Sequence, residues 1–173
     1  PDRMVVPGIP EWAVYGDRSH RGNLICSIDL SEAGLERRNQ ALDEKYARMA
    51  ADEQRADLHR CDDADVVFVA CNTPAQLAKG AVKELRDKGL RAGLFRPITL
   101  WPFPIDALRW VTHRARHIVV VEASSGQLED EVRLALSHAE LFAPAISHVR
   151  RQGGILPSQG EIVEHVLSLE GVH

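Results

Sequence analysis

The chain has 173 residues, 45% apolar and 27% charged, with 21 Lys and Arg against 25 Asp and Glu. That length holds one domain of common size plus an appendage, and the apolar share excludes global disorder. A net charge of −4 leaves no basic surplus for neutralising phosphates, which speaks against nucleic acid, and no apolar run is long enough to span a bilayer. No signal peptide is recognisable. Cys26, Cys61 and Cys71 are odd in number and widely spaced. They fit reduced thiols in a cytoplasm and match no iron–sulfur pattern, which needs clustered cysteines. Pro1 implies either a removed initiator methionine or a piece of a longer chain.

Composition divides the chain at residue 63. Residues 1–63 read as an extension or linker, charged and irregular, and residues 64–173 as a regular α/β domain. The extension opens with "VVPGIPEW", whose prolines and glycine prevent regular structure. "GDRSHRGN" is a polar loop, and "LICSI" (24–28) is a candidate short strand. Asp29 and Glu32 have capping-box spacing before one long helix over about 31–56. Leu35, Leu42, Tyr46 and Met49 give that helix a narrow apolar stripe suited to docking on another domain or subunit.

The regular part begins with "DVVFVA" (65–70), a continuous apolar run expected of a strand buried on both faces. Thr73 as N-cap, Pro74 at the first helical position and Gln76 then predict a helix. Its inward face is Leu77, Ala78, Ala81, Val82 and Leu85, and Gly89 ends it. "RAGLF" (91–95) is the second strand. After a proline-rich turn, Pro104 starts a helix with Ile105, Leu108 and Val111 inward. "HIVVVE" (117–122) is the third strand, and Ser124 with Gln127 is expected to cap the next helix. "PAISHV" (144–149) is the fourth strand. Ser158 with Glu161 caps a last helix with Ile162, Val163, Val166 and Leu167 inward. Four strand–helix units with short links predict a mainly parallel sheet with helices on both faces.

In such a sheet, ligands lie beyond the carboxyl ends of the strands. Those ends are "ACNTP", "RPITLWPFP", "EASSGQ" and "RRQGG". Thr73, Ser124 and Ser125 stand at helix starts, where a phosphate can be held, and Arg150 with Arg151 forms a compact basic point. Ordinary capping explains the hydroxyl residues equally well, and neither G-x-G-x-x-G nor a P-loop is present. Cys71 is a thiol at a strand end but has no assignable histidine, and reads as a small buried hydrophobe. His113 and His117 have the i,i+4 spacing of a metal pair, but His117 begins a strand, which breaks the geometry. Glu122 is either an acid or base in the crevice, or an acceptor for the backbone N–H groups of a neighbouring turn; the second is favoured. No catalytic, cofactor-binding or metal-binding residue is assigned. "LFRPITLWPFP" offers Arg96, Pro97, Trp101, Pro102 and Phe103 as interface or structural residues. The prolines fix the strand exit, the aromatics are rigid anchors, and Arg96 is placed to bond carbonyls or a partner's carboxylate.

The order of "DADVVFVACNTPAQLAKGAVKELRDKGLRAGLFRPITLWPFP", "HIVVVEASSGQLEDEVRLAL" and "RQGGILPSQGEIVEHV" resembles the C-terminal part of the alpha subunit of 2-oxoacid:ferredoxin oxidoreductases, of the 2-oxoglutarate and 2-ketoisovalerate types. The resemblance covers about 63–169. The family's "GLEHDE" lead-in is replaced by "VYGDRSHRGN". The resemblance implies a transketolase C-terminal-like, Rossmann-like, three-layer α/β/α domain with a mainly parallel five-stranded sheet. Its fifth strand is expected from the first 63 residues, with "LICSI" as the candidate edge. It also implies oxidative decarboxylation of a 2-oxoacid to an acyl-coenzyme A. Thiamine diphosphate, magnesium and iron–sulfur clusters belong to the complete complex, outside this chain. The implied partners are a thiamine-binding beta subunit and other subunits, with coenzyme A and ferredoxin at the level of a homo- or hetero-oligomer. The resemblance further implies that the domain serves assembly and is inactive alone. The reading from a different class is a stand-alone Rossmann-like module binding a phosphorylated ligand such as coenzyme A.

Overall fold

In the computed structural model the structure describes residues 8–23, 28 and 30–169. The chain divides into two compact units, Pro1–Tyr46 and Ala47–His173. In the first unit a short 3-10 turn, Arg21–Asn23, follows irregular chain. Asn23 ties that chain together by donating its side-chain amide to the carbonyls of Glu11 and Ala13. The long helix α1 (Glu32–Asp52) begins in this unit, and none of its residues is buried.

The second unit carries a five-stranded sheet. β1 (Ala56–His59), β2 (Val66–Val69), β3 (Ala92–Pro97), β4 (His117–Glu122) and β5 (Ala145–Arg150) lie in the order β1-β3-β2-β4-β5. All neighbours run parallel except β1, which pairs antiparallel with β3 from Ala56 opposite Pro97 to His59 opposite Leu94. The links are α2 (Asn72–Asp87), α3 (Ile105–Thr112), α4 (Gln127–His138) and, after β5, α5 (Gln159–Leu167). Two apolar layers follow. On one face Phe68, Leu94, Val119 and Val121 pack with Ala78, Val82 and Leu85 of α2 and Ile162 and Val166 of α5. On the other, Val67, Phe95, Ile118 and Val120 pack with Leu108 and Val111 of α3 and Leu128, Val132 and Leu136 of α4. Val66–Val69 are all buried, so β2 is the central strand, as its unbroken apolar run requires. Each of its side chains contributes about 1.5–3 kcal/mol of burial. Among the described residues, no helix is long and apolar enough to cross a membrane.

The three-layer reading holds, with corrections at its margins. The long helix ends at Asp52 rather than 56, and the fifth strand is β1. "LICSI" lies almost entirely outside the described residues. "ADLH" carries no strand pattern of its own. It is extended because β3 offers it an edge, and because Arg55 is fixed there. The Arg55 carbonyl accepts from the N–H of Ile98 (2.9 Å) and Thr99 (3.2 Å), and its N–H donates to the Thr99 hydroxyl (3.1 Å). The sheet therefore starts before the boundary drawn at residue 63. β3 runs on to Pro97, so Arg96 and Pro97 belong to the strand. Leu167 is partly exposed rather than inward. The capping box of Ser158 and Glu161 on α5 is present as expected. Gly93 has a packing reason: a Cβ there would come within 2.6 Å of the Arg60 carbonyl oxygen.

Candidate functional site: the carboxyl end of the sheet

β2 is followed by β3 on one side and, after α3, by β4 on the other, so the strand order reverses between β2 and β4. The crevice outside a reversal is the usual ligand position in an open α/β sheet. Here it is a hollow of about 270 Å³ between "CNTP" at the end of β2 and "EAS" at the end of β4, with Leu156 at its side. A second cavity of about 430 Å³ adjoins it and shares Cys71, Ser124 and Leu128; it is completed by Leu100, Trp101, Gln127 and Glu131. The fold thus brings "ACNTP", "RPITLWPFP" and "EASSGQ" together, as the βα pattern implies.

The β4 side is wired internally. Glu122, 3% exposed, points its carboxylate at the start of α4. It accepts from the N–H groups of Leu128 (3.0 Å) and Glu129 (3.3 Å) and from the Ser124 hydroxyl. This corrects the expected cap. Neither Ser124 nor Gln127 caps α4; its N-cap is Gly126, with no side-chain cap bond, and the acceptor comes from the strand. A carboxylate is well matched to a helix start, where free N–H groups and the dipole favour negative charge. It also fills the place a phosphate would take. Glu122 therefore plays the structural role that the sequence reading favoured. Gly126 has φ 123°, open only to glycine, and a Cβ there would lie 2.7 Å from Nη1 of Arg150.

The two arginine candidates are also engaged within the chain. Arg150 donates from Nη1 to the Ser125 carbonyl (3.1 Å), and Arg151 pairs with Glu161 of the α5 capping box. The Ser158 backbone N–H, with Arg151 beside it, holds the Glu161 carboxyl down to about 2. A hollow of only about 120 Å³ lies between Ser124, Ser125, Arg150 and Arg151. Thr73 lies inside the first turn of α2 and not at its cap. The N-cap is Cys71, with no side-chain cap bond, and Asn72 sits at φ 52°, a left-handed conformation that asparagine tolerates better than most residues. Cys71 is half-buried, and burial, followed by the nearby Glu122, pushes its thiol up. That is the opposite of an activated thiolate. Burial pushes Cys61 up to about 11, and its Sγ faces the Leu94 carbonyl.

The β3 side differs. Pro97, Pro102 and Pro104 are buried, the Trp101–Pro102 peptide is cis, and Phe103 stacks on Phe95 with ring centroids 6.3 Å apart. Phe103 is therefore a core anchor. Trp101 is 56% exposed, beside Leu100 (48%) and Ile98 (54%). Arg96 faces Asp57 across the β1–β3 pair, 3.3 Å away, so its carboxylate partner is the chain's own. Sequence reading passed over Leu100, Leu128 and Glu131, which line the larger cavity. Leu100 lay in the quoted proline-rich stretch, but only the packing shows that it faces outward.

Among the described residues no three His, Cys, Asp or Glu side chains come together as metal donors, and Cys61 is spent on backbone carbonyls.

Among curated proteins, the chain is 37% identical over 92% of its length to the ketoisovalerate oxidoreductase subunit VorB of Methanothermobacter thermautotrophicus, and spans 44% of that protein. It is 38% identical over 61% of its length to the 2-oxoglutarate synthase subunit KorA of Methanocaldococcus jannaschii, spanning 27% of it. The chain thus covers less than half of either relative. The fold is shared with the 2-oxoglutarate:ferredoxin oxidoreductase of Magnetococcus marinus (TM-score 0.65, 21% identity, 80% of this chain and 24% of that one). It is also shared with a split-gene transketolase (TM-score 0.58, 21% identity, 68% and 42%). Residues 64–162, more than half of the chain, match the pyruvate:ferredoxin oxidoreductase core domain II, and the chain belongs to that family.

Proposed function

We propose that the chain supplies the C-terminal, transketolase-like domain of the alpha subunit of a cytoplasmic, thiamine-diphosphate-dependent 2-oxoacid:ferredoxin oxidoreductase, and that it serves assembly rather than catalysis. The observation that carries this is the similarity to a ketoisovalerate oxidoreductase subunit along 92% of the chain, against 61% for the 2-oxoglutarate relative. The same contrast favours a branched 2-oxoacid of the ketoisovalerate kind as substrate. Thiamine diphosphate, held by other parts of the complex, supplies the electron sink for decarboxylation. Coenzyme A and ferredoxin are then the acyl and electron acceptors, and a beta subunit the nearest partner. The domain's own contribution is a rigid body whose strand-end face makes contacts. The stand-alone coenzyme A module loses one of its supports, because the α4 start it would use is filled by Glu122.

The test is co-expression with the neighbouring reading frames. The expected outcome is a co-purifying complex that reduces a low-potential dye with coenzyme A and 3-methyl-2-oxobutanoate, more efficiently than with 2-oxoglutarate. The chain alone is expected to reduce no dye and to bind no thiamine diphosphate in calorimetry. A complex inactive toward every 2-oxoacid, or micromolar thiamine diphosphate binding by the isolated chain, contradicts the reading.

A further inference from the structure

We propose that the cavity between the β3 exit and the start of α4 is a docking cleft for a protein segment carrying an aliphatic or aromatic anchor next to arginine or lysine. The cleft has an apolar floor and ridge: Leu128 below, with Leu100 and Trp101 on one wall and Gln127 and Glu131 on the other. Its volume of about 430 Å³ admits one or two large side chains. The ridge is fixed in advance. The buried Pro97, Pro102 and Pro104, the Phe103–Phe95 stack, and the bonds from Ile98 and Thr99 to Arg55 leave little freedom to lose on binding. Ile98, Leu100 and Trp101 are each about half exposed on a ridge this stiff, which is the form of a contact surface and not of a collapsed loop.

Charge selects the occupant. The segments that build the cleft, 70–74, 97–108 and 122–131, contain Asp106, Glu122, Glu129, Asp130 and Glu131, and no lysine, arginine or histidine. Glu122 is spent on α4, and Glu129 is paired with Arg133 and His148. Asp106, Asp130 and Glu131 pair with no cation among the described residues, and Glu131 stands on the lip of the cavity. A cationic neighbour beside the apolar anchor meets that lip favourably, whereas an acidic one is repelled.

The proposal deepens the assembly reading and rests on it for the natural partner, a neighbouring subunit, but its test needs no other subunit. The full chain is titrated into two labelled synthetic peptides that share leucine and phenylalanine anchors, one interspersed with arginine and the other with glutamate, and anisotropy is read. The arginine peptide should bind about tenfold or more tightly than the glutamate peptide. Glu131→Lys should reverse that preference, Trp101→Ala should weaken both peptides about tenfold, and Asp87→Lys at the far end of α2 should change nothing. Thermal melting checks that each variant is folded, and Glu131, on an exposed helix face, keeps the test open if Trp101→Ala is not. Equal affinities, no binding, or a preference untouched by Glu131→Lys overturns the proposal. So does sedimentation showing a self-associated chain that Trp101→Ala dissolves and that excludes the peptide, since the occupant is then a second copy. Failure here leaves the oxidoreductase reading intact, and an inactive co-expressed complex leaves the cleft intact.

Discussion

The two halves of the sheet's carboxyl end are built from similar parts and put to opposite uses. On the β4–β5 half, the charged groups that the strands deliver turn back into the protein: Glu122 into the first turn of α4, Arg150 onto the Ser125 carbonyl, Arg151 onto the α5 capping box. On the β2–β3 half, the loop is pinned from beneath by buried prolines and Phe103, and its apolar side chains face outward. A polar strand end is therefore not by itself a ligand site, because neighbouring helix starts compete for its groups. An apolar strand end that the fold rigidifies and keeps half exposed is the half that points to a partner.

The comparison breaks most readily at Glu122. Glu122→Ala leaves the buried N–H groups of Leu128 and Glu129 without their acceptor, so a loss of about 3 kcal/mol is expected in urea unfolding. A neutral result means that the β4 half is not internally wired. Gly126→Ala comes next. Its φ of 123° excludes a Cβ, and the added methyl crowds Arg150, for an expected cost of about 2 kcal/mol in the same assay. Trp101→Ala sharpens the other side. A loss below about 1 kcal/mol in folding, against about 2 kcal/mol in partner binding measured by sedimentation of the complex, is expected of an exposed anchor. The reverse ratio makes Trp101 a core residue. The smallest effect is at Glu161. Its carboxyl is held down to about 2 by the Ser158 N–H and by Arg151. A depressed folded-state pKa contributes stability above the unfolded value, near 4.3, that is lost as pH falls toward 2. The stability gap between the wild type and Glu161→Gln should be full above about pH 5 and closed near pH 2. A gap that does not change with pH removes the ionised capping box.

Strand and helix identity was legible from local signals. Val66–Val69 is an unbroken apolar run, the α2 and α5 faces repeat at helical spacing, and Ser158 and Glu161 lie in capping order. The three-layer, mainly parallel arrangement follows from those signals, because buried strands joined by amphipathic helices have few other ways to cover both sheet faces. The sequence also placed the loops "ACNTP", "RPITLWPFP" and "EASSGQ" at one end of the sheet, since every strand of a parallel unit exits on the same side. Tertiary structure decided the rest, wherever a residue's role depends on a neighbour distant in the chain. "ADLH" is a strand only because the β3 edge receives it, and Arg96 is internally paired only because that pairing puts Asp57 opposite it. Capping by Glu122 could not be read from spacing, since a strand-end carboxylate reaches the start of α4 only across the turn that Gly126 permits. Whether Trp101 or Phe103 turns outward was equally open, because both are rigid aromatics next to prolines; the position of Phe95 beneath the loop took Phe103 inward and left Trp101 at the surface.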